Sequence, residues 1–370
     1  MPETRTSITV NGAPLGAHDL ELVQSLSLEE TLGGQDKVSI TVQLVTSDNS
    51  AWTSCLDPLV APATPFHVTL TRGSDTVEVE ARSVSASWQI APGGSSTITV
   101  EGMDRSVELD RQDVQRLWQD TNDAAIAETI FSERGLAAQV DSTPSGADSD
   151  TYSPQQSATD WAFLKGLAGR NGFDLHIETI SGVVTSVFRK IDVTAAAQTT
   201  IALGYGPLGG NATASVQLLA GQEVHVTRTV PGTSDVDAAS DNGQGHAMGS
   251  RSLGGVTLVR THTAGSVSVL DARSTATAMA ERSAFGATLN ATLASADSPL
   301  IRARRTVTVA GLGEALDGLW LVRSVRHTVT QGGHGQALGL IRNALGNPAE
   351  GGGAGAVTAG ALSAAVGVSL

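Results

Sequence analysis

Strict two-residue alternation constrains this chain more than any other feature. In "VSITVQLV" the residues Val38, Ile40, Val42 and Leu44 fall on one face, and Ser39, Thr41 and Gln43 on the other. Such a period marks a strand with one buried face. "FHVTLTRG" repeats the pattern with Phe66, Val68 and Leu70, then closes in a turn at Gly73. "TVEVEARSVSASWQI" begins with Val77, Val79 and Ala81 on one face and resumes on even numbers with Val84, Ala86, Trp88 and Ile90. A one-residue change of phase turns the apolar set over, so a bulge or corner is expected near Arg82–Ser83. "STITVEG" adds a further strand after the turn Pro92–Gly93–Gly94. Short antiparallel strands with such a corner suggest a barrel or a sandwich.

With 370 residues the chain has room for two or three domains, each able to bury a core. It carries 23 Lys and Arg against 37 Asp and Glu, a net charge of −14 that argues against gripping nucleic acid or an anionic membrane. Aromatics make up 4 % of residues, too few for a deep aromatic pocket. The single cysteine, Cys55, excludes an internal disulfide framework and a cysteine-based zinc site. "MPETRTSITV" lacks the apolar core of a secretory signal, and no run of about 18 apolar residues occurs, so cytoplasmic synthesis without membrane insertion is expected.

The texture changes after "EGMDRSVELDR". In "NDAAIAETIFSERG" Asn122 is placed to cap a helix, Ile126 and Ile130 share a face, and Gly135 stops it. The strand-like "LAAQV" follows. The same grammar returns in "SATDWAFLKGLAGRNG", with Ser157 as cap, Asp160 three residues on and Gly172 as stop, before "FDLHI". This is a duplicated helix–glycine–strand unit. An acidic, Pro- and Ser-rich loop, "DSTPSGADSDTYSPQQ", lies between the copies.

Strands return from about residue 200 in "ATASVQLLAGQEVHVTRTV" and "IRARRTVTVAG". In the latter Ile301, Ala303, Val307 and Val309 are expected on one face, with Arg302, Arg304, Thr306 and Thr308 on the other. Residues 234–255 suit a long mobile loop. One helix, about Asp271 to Phe285, presents Ala272, Ala276, Met279 and Ala280. The low-complexity end, "GGGAGAVTAGALSAAVGVSL", suits a flexible tail.

Several motifs fail their context tests. "GYGPLGG" satisfies G-x-G-x-x-G through Gly204, Gly206 and Gly209, but Pro207 interrupts it and a strand-like segment follows where a dinucleotide site needs a helix. The eight histidines are scattered without the helical pair spacing of a metal site. No G-x-S-x-G elbow occurs, so no catalytic, cofactor or metal residue is assigned. Glu314 and Asp317 in "GLGEALDGLWLVRSVRHTV" read as solvating residues of a turn shaped by Gly311, Gly313 and Gly318. The basic run "RARR", 302–305, suits ion pairs with an acidic neighbouring subunit. Two other classes stay open: a hydrolase with a spatial Ser/His/Asp site, and a carbohydrate-binding β-rich adhesin.

Four stretches together resemble the tail-hub, or late control protein D, family of contractile phage tails and injection systems. They are "VEGMDRSVELDR", "DAAIAETIFSERGL", "QQSATDWAFLKGLAGRNGFDLHI" and "VTVAGLGEALDGLWLVRSVRHTV". Asp104, Asp160, Trp161, Gly172, Gly311, Asp317, Gly318, Trp320 and His327 stand out within them as structural motif residues. The resemblance implies a β-rich α+β chain: two tail-tube-like β-barrels, with α/β segments packed outside, assembling as a ring. On that basis the first barrel would span 1–105, the α/β domain 106–200, and the second barrel 201–348, interrupted at about 231–295, with the tail at 349–370. A homotrimer would then join a sixfold inner tube to a threefold spike, with baseplate proteins around it and no enzymatic activity, cofactor or sequence-specific nucleic acid. The hub-like region ends near residue 346, so the spike is expected to be a separate protein. A lumen face with acidic character is expected from the net charge.

Overall fold

The computed structural model describes residues 4–46, 52–91, 95–144, 153–203, 211–229, 236–241, 245–253, 258–263, 269–293 and 298–347. The turn at 92–94, the glycine loop at 204–210 and the terminal segment at 349–370 lie outside them.

The first third of the chain supplies β1 (Arg5–Val10), β2 (Val23–Thr31), β3 (Lys37–Gln43), β4 (Pro65–Arg72), β5 (Asp75–Gln89) and β6 (Thr97–Asp104). Their alternating apolar residues pack into one core that includes Leu28, Ile40, Phe66, Val68, Leu70 and Val100. The period-two pattern is thus a direct record of one buried face.

The middle region contributes β7 (Asp113–Leu117), α1 (Asp123–Glu133), β8 (Ala137–Val140), β9 (Gln155–Thr159), α2 (Asp160–Asn171), β10 (Phe173–Ile180) and β11 (Val183–Lys190). Both helix–strand units meet in one sheet, where β11 pairs with β8 in parallel and with β10 antiparallel. Ile126, Phe131, Leu164, Leu175 and Phe188 form its core. Asn122 caps α1 by accepting from the Ala125 amide at 2.9 Å. The cap of α2 is Thr159, which accepts from Ala162 N at 3.2 Å, and not Ser157 as expected, because Ser157 is held in β9 opposite Gln115.

The last region holds β12 (Thr200–Ala202), β13 (Ala212–Val216), β14 (Gln222–Thr229), β15 (Val236–Asp241), β16 (Leu258–Thr263), α3 (Val269–Ser283), β17 (Ala287–Leu293), β18 (Thr306–Ala310), β19 (Gly318–Thr330) and β20 (Gly333–Arg342). The segment 234–255, expected to be loop throughout, contains β15, which joins β14 and β16 in a small sheet. Ala272, Ala276 and Ala280 of α3 close over Val224 and Val226. Small side chains let the helix lie close to that sheet.

The expected pair of closed barrels is not what the strands form. Among the described residues the first and last regions join in a single open 13-stranded sheet, made of twelve of the strands above and the two-residue strand Ala13–Pro14 beside β1. The joint is an antiparallel pairing of β19 with β2, from Ser324 opposite Thr31 to Thr330 opposite Ser25. Each side of this joint has its own core, one around Ile40 and Leu70, the other around Leu289, Val309 and Trp320.

The two sides repeat each other over five strands, and differ at the outermost one, where β1 runs antiparallel to β4 and β12 parallel to β18. Followed in one direction across the sheet, the first side runs β2, β3, β6, β5, β4, β1; the second runs β13, β17, β20, β19, β18, β12. The match extends to register. β5 shifts against β6 between Ser83 and Ser85, and β19 shifts against β20 between Val322 and Ser324. From Ser83 the pairing passes to Gly102, Val38 and Leu28. From Val322 it passes to Leu340, Leu289 and Ala214. The phase change legible near Arg82–Ser83 is therefore one of two equivalent bulges.

Candidate functional site

The joint between the halves is sealed by buried charge. Glu30, on the inward face of β2, is fully buried and accepts from Arg302 Nε at 2.9 Å, Arg302 Nη2 at 2.6 Å and the Ala303 amide at 2.9 Å. Burial raises its pKa, yet Arg302 and Arg304 outweigh it and hold the carboxyl down at about 2. Arg304 reaches both Asp36 oxygens, Nη1 to Oδ2 at 3.2 Å, and donates to Thr31 O at 2.9 Å. Asp104 Oδ2 accepts the Asp36 amide at 2.6 Å, and its Oδ1 accepts the Ser106 amide at 2.7 Å. Asp174 of β10 accepts the Gly33 amide at 2.6 Å and lies 2.7 Å from His176 Nδ1. The cluster thus ties the first half, the α/β unit and the second half together.

Four carboxyls gather here around two guanidiniums. Burial pushes Asp36 up to about 8, with the charges of Glu30 and Asp104 opposing Arg304, and burial also raises Asp104. Arginine keeps its proton throughout, so the two guanidiniums offset the carboxyls they touch, Arg302 at Glu30 and Arg304 at Asp36.

The basic run was expected on alternate faces of a strand and turned toward another subunit. The chain at 301–305 is instead irregular, with Arg304 at φ 67°, and β18 starts only at Thr306. Arg302 and Arg304 both point inward, to acids of their own chain. A left-handed residue breaks the alternation that a strand would impose.

His327, on β19, is fully buried beside this cluster. Its Nε2 lies 2.9 Å from Ile301 O, its Nδ1 lies 3.2 Å from His334 Nε2, and His334 Nδ1 lies 2.7 Å from Arg72 Nη2. Arginine and a carbonyl fix the roles at both ends: Arg72 donates to His334, His334 donates to His327, and His327 donates to Ile301. Both imidazoles are then neutral with the proton on Nε2. Burial lowers His327 to about 4, and burial with His327 and Arg72 lowers His334 to about 3. The line ends on a backbone carbonyl, so it orients β19, β20 and β4 and passes no proton onward.

The remaining motif residues fall in two further places. Asp160 and Trp161 are buried at the start of α2, where Asp160 Oδ2 receives Arg134 Nε at 2.9 Å and Oδ1 receives Gln156 Nε2 at 2.8 Å. Gly172 ends α2 at φ 70°, and a Cβ there would sit 3.2 Å from Ala278 Cβ of α3. Around the 311–318 turn, Asp317 Oδ1 accepts the Leu312 amide at 2.8 Å and Trp320 Nε1 donates to Leu316 O at 2.8 Å. Gly311 takes φ 91°, and a Cβ there would lie 2.1 Å from Leu203 O. Gly318 takes φ 120° beneath Arg342. Arg342, which no sequence motif singles out, is buried and donates to the carbonyls of Leu316, Asp317, Met248 and Gly346 at 2.5–3.3 Å. Burial lowers it to about 10. Asp104 and His327 therefore belong to the joint, Asp160, Trp161 and Gly172 to the α/β unit, and Gly311 to Trp320 to the far end of the second half. Glu30, Asp36, Asp174, Arg302 and Arg304 carried no local signal beyond being charged residues inside otherwise apolar alternation.

Among the described residues no cluster of His, Cys, Asp and Glu has the geometry of a metal site, and no helix is long and apolar enough to cross a membrane.

The fold is shared with solved tail proteins. A tail protein from Neisseria meningitidis MC58 superposes with a TM-score of 0.66 at 13% identity, over 92% of this chain and 97% of that one. The 43 kDa tail protein of prophage MuSo2 from Shewanella oneidensis gives 0.64 at 13% identity, over 93% and 100%. An E. coli type VI secretion component, described as similar to the T4 tail proteins gp27 and gp5, gives 0.56 at 12% identity, over 86% and 73%. No curated protein sequence matches the chain. A family model matches residues 82–331, well over half of the sequence, and the chain belongs to that family, the Alg8 N-terminal domain.

Proposed function

We propose that the protein is the structural hub of a contractile tail or injection baseplate. It acts without catalysis as a homotrimer between a sixfold inner tube and a threefold spike. The observation that carries this reading is the duplication: two halves with the same five-strand order and bulge position, joined inside one chain by the pairing of β19 with β2. Three such chains present six near-equivalent modules while keeping threefold symmetry. The likeness of fold to phage tail proteins supports the same role. Fused halves with a charged internal joint suit a structural adaptor more than a ligand cleft. The protein would be made in the cytoplasm and end in the particle, against tube and baseplate proteins.

The test is genetic and structural. Deleting the gene in its host should leave tube and sheath proteins without assembled particles by electron microscopy, and the wild-type gene should restore them. Intact particles in the deletion strain would defeat the reading.

A further inference from the structure

The repeated frame is completed at one position in one half and left open there in the other. At the internal joint, residues 324–330 of β19 pair with β2. The equivalent stretch of β5, Ser85 to Gln89, pairs with β6 on one side, and among the described residues nothing pairs with its other side. The equivalent of β2 is β13, which pairs with β17 and, among the described residues, has a second free edge. Each chain therefore carries both partners of a second joint, on separate edges of its sheet.

We propose that β5 of one copy pairs with β13 of the next, in the register that the internal joint already displays. This rests on the reading above, that copies of the chain assemble side by side. The register follows from the aligned bulges. Ser85 takes the place of Ser324 and Gln217 that of Thr31, and stepping along gives Ala86 opposite Val216, Ser87 opposite Ser215, Trp88 opposite Ala214, Gln89 opposite Thr213 and Ile90 opposite Ala212.

This register sorts the side chains by polarity, although bulge alignment alone set it. Ala86, Trp88 and Ile90 meet Val216, Ala214 and Ala212 on one face, while Ser85, Ser87 and Gln89 meet Gln217, Ser215 and Thr213 on the other. A slip by one residue would set every apolar side chain against a polar face. Trp88 is 51% exposed and Ile90 48% exposed in the single chain, on a strand edge with its ladder groups unpaired. Long apolar edges are normally blunted by charge or proline, and 84–90 contains neither. The pairing is head to tail, so it can propagate around a ring.

The test uses the full chain with its only cysteine removed, as Cys55→Ser, and with Ser87→Cys and Ser215→Cys added. Directly opposite strand residues lie within disulfide reach. Mild oxidation should give covalent dimers and trimers on a non-reducing gel. Either cysteine variant alone should stay monomeric on that gel, and a mixture of the two should stop at dimers. Ala214→Arg should shift the species seen by light scattering to the monomer while leaving the melting temperature of the monomer unchanged. An oligomer that forms no cross-link in the double variant, a Ser87→Cys variant that cross-links to itself, or a chain that remains monomeric up to its solubility limit overturns the pairing. Particle assembly in the deletion strain is scored separately, so either conclusion can fail while the other stands.

Discussion

Trp88 and His327 occupy the same place in the repeated frame, yet one is half in water and the other is sealed. Their strands share a bulge, a register and a sheet position. What differs is the neighbour: β19 has β2 against it within the chain, and this stretch of β5 has no such partner among the described residues. The sealed copy of the edge uses Glu30, Arg302 and His327, groups that tolerate burial only with every partner fixed in advance. The open copy uses serine, alanine and tryptophan, which tolerate both water and contact. A joint formed once, during folding, can carry costly buried charge; an edge that waits for a partner cannot.

That contrast can be broken most severely from the inside. Glu30→Ala strips Arg302 of its carboxylate in a dry site and should destabilise the chain by about 3–5 kcal/mol, read as a lowered urea midpoint. Leu28→Ala, in the sealed strand, should cost about 2–5 kcal/mol. Its open-edge equivalent, Ala214→Ser, should stay within about 0.5 kcal/mol, and equal effects at the two sites would dissolve the distinction.

A pH series sharpens the comparison further. His327 and His334 titrate in the fold at about 4 and 3, below their usual 6.5, so their contribution is present above 6.5 and is lost as pH falls toward 4. Asp36 is raised to about 8, so its contribution is present at low pH and is lost as pH rises through 8. Unfolding followed by fluorescence should place maximum stability near pH 6–7, with a decline on both sides. His327→Gln should flatten the acid limb. The smallest effect is expected on the open side: Trp88→Ala should change monomer stability by less than about 1 kcal/mol, since the ring is half exposed already.

Period-two alternation made the individual strands legible, and the slip from Ala81 to Val84 located the bulge to within a residue or two. Both α/β helices and the strands that follow them were legible from spacing and glycine stops, and α1 from its Asn122 cap, whereas the cap of α2 is Thr159, two residues beyond Ser157. Which strand lies beside which was not legible, because pairing of β19 with β2 joins residues some 300 positions apart with no local signature. The expectation of two closed barrels failed on this point: alternation reports that a face is buried and says nothing of whether the sheet closes. "RARR" misled for a related reason. Alternation does not continue back through the left-handed Arg304, and Arg302 and Arg304 turn inward to pair with Glu30 and Asp36 of the joint. In β5 and the residue after it, the even-numbered Val84, Trp88 and Ile90 look like core and prove exposed, since a strand pattern records that a face is apolar without saying whether anything in the chain covers it.

Because β2 and β19 belong to one polypeptide, their meeting is unimolecular and its equilibrium does not depend on protein concentration. Dilution can separate neighbouring molecules but can never drive these two halves apart. A closed ring assembled from tethered pairs thus has half as many intermolecular joints as one assembled from loose single modules.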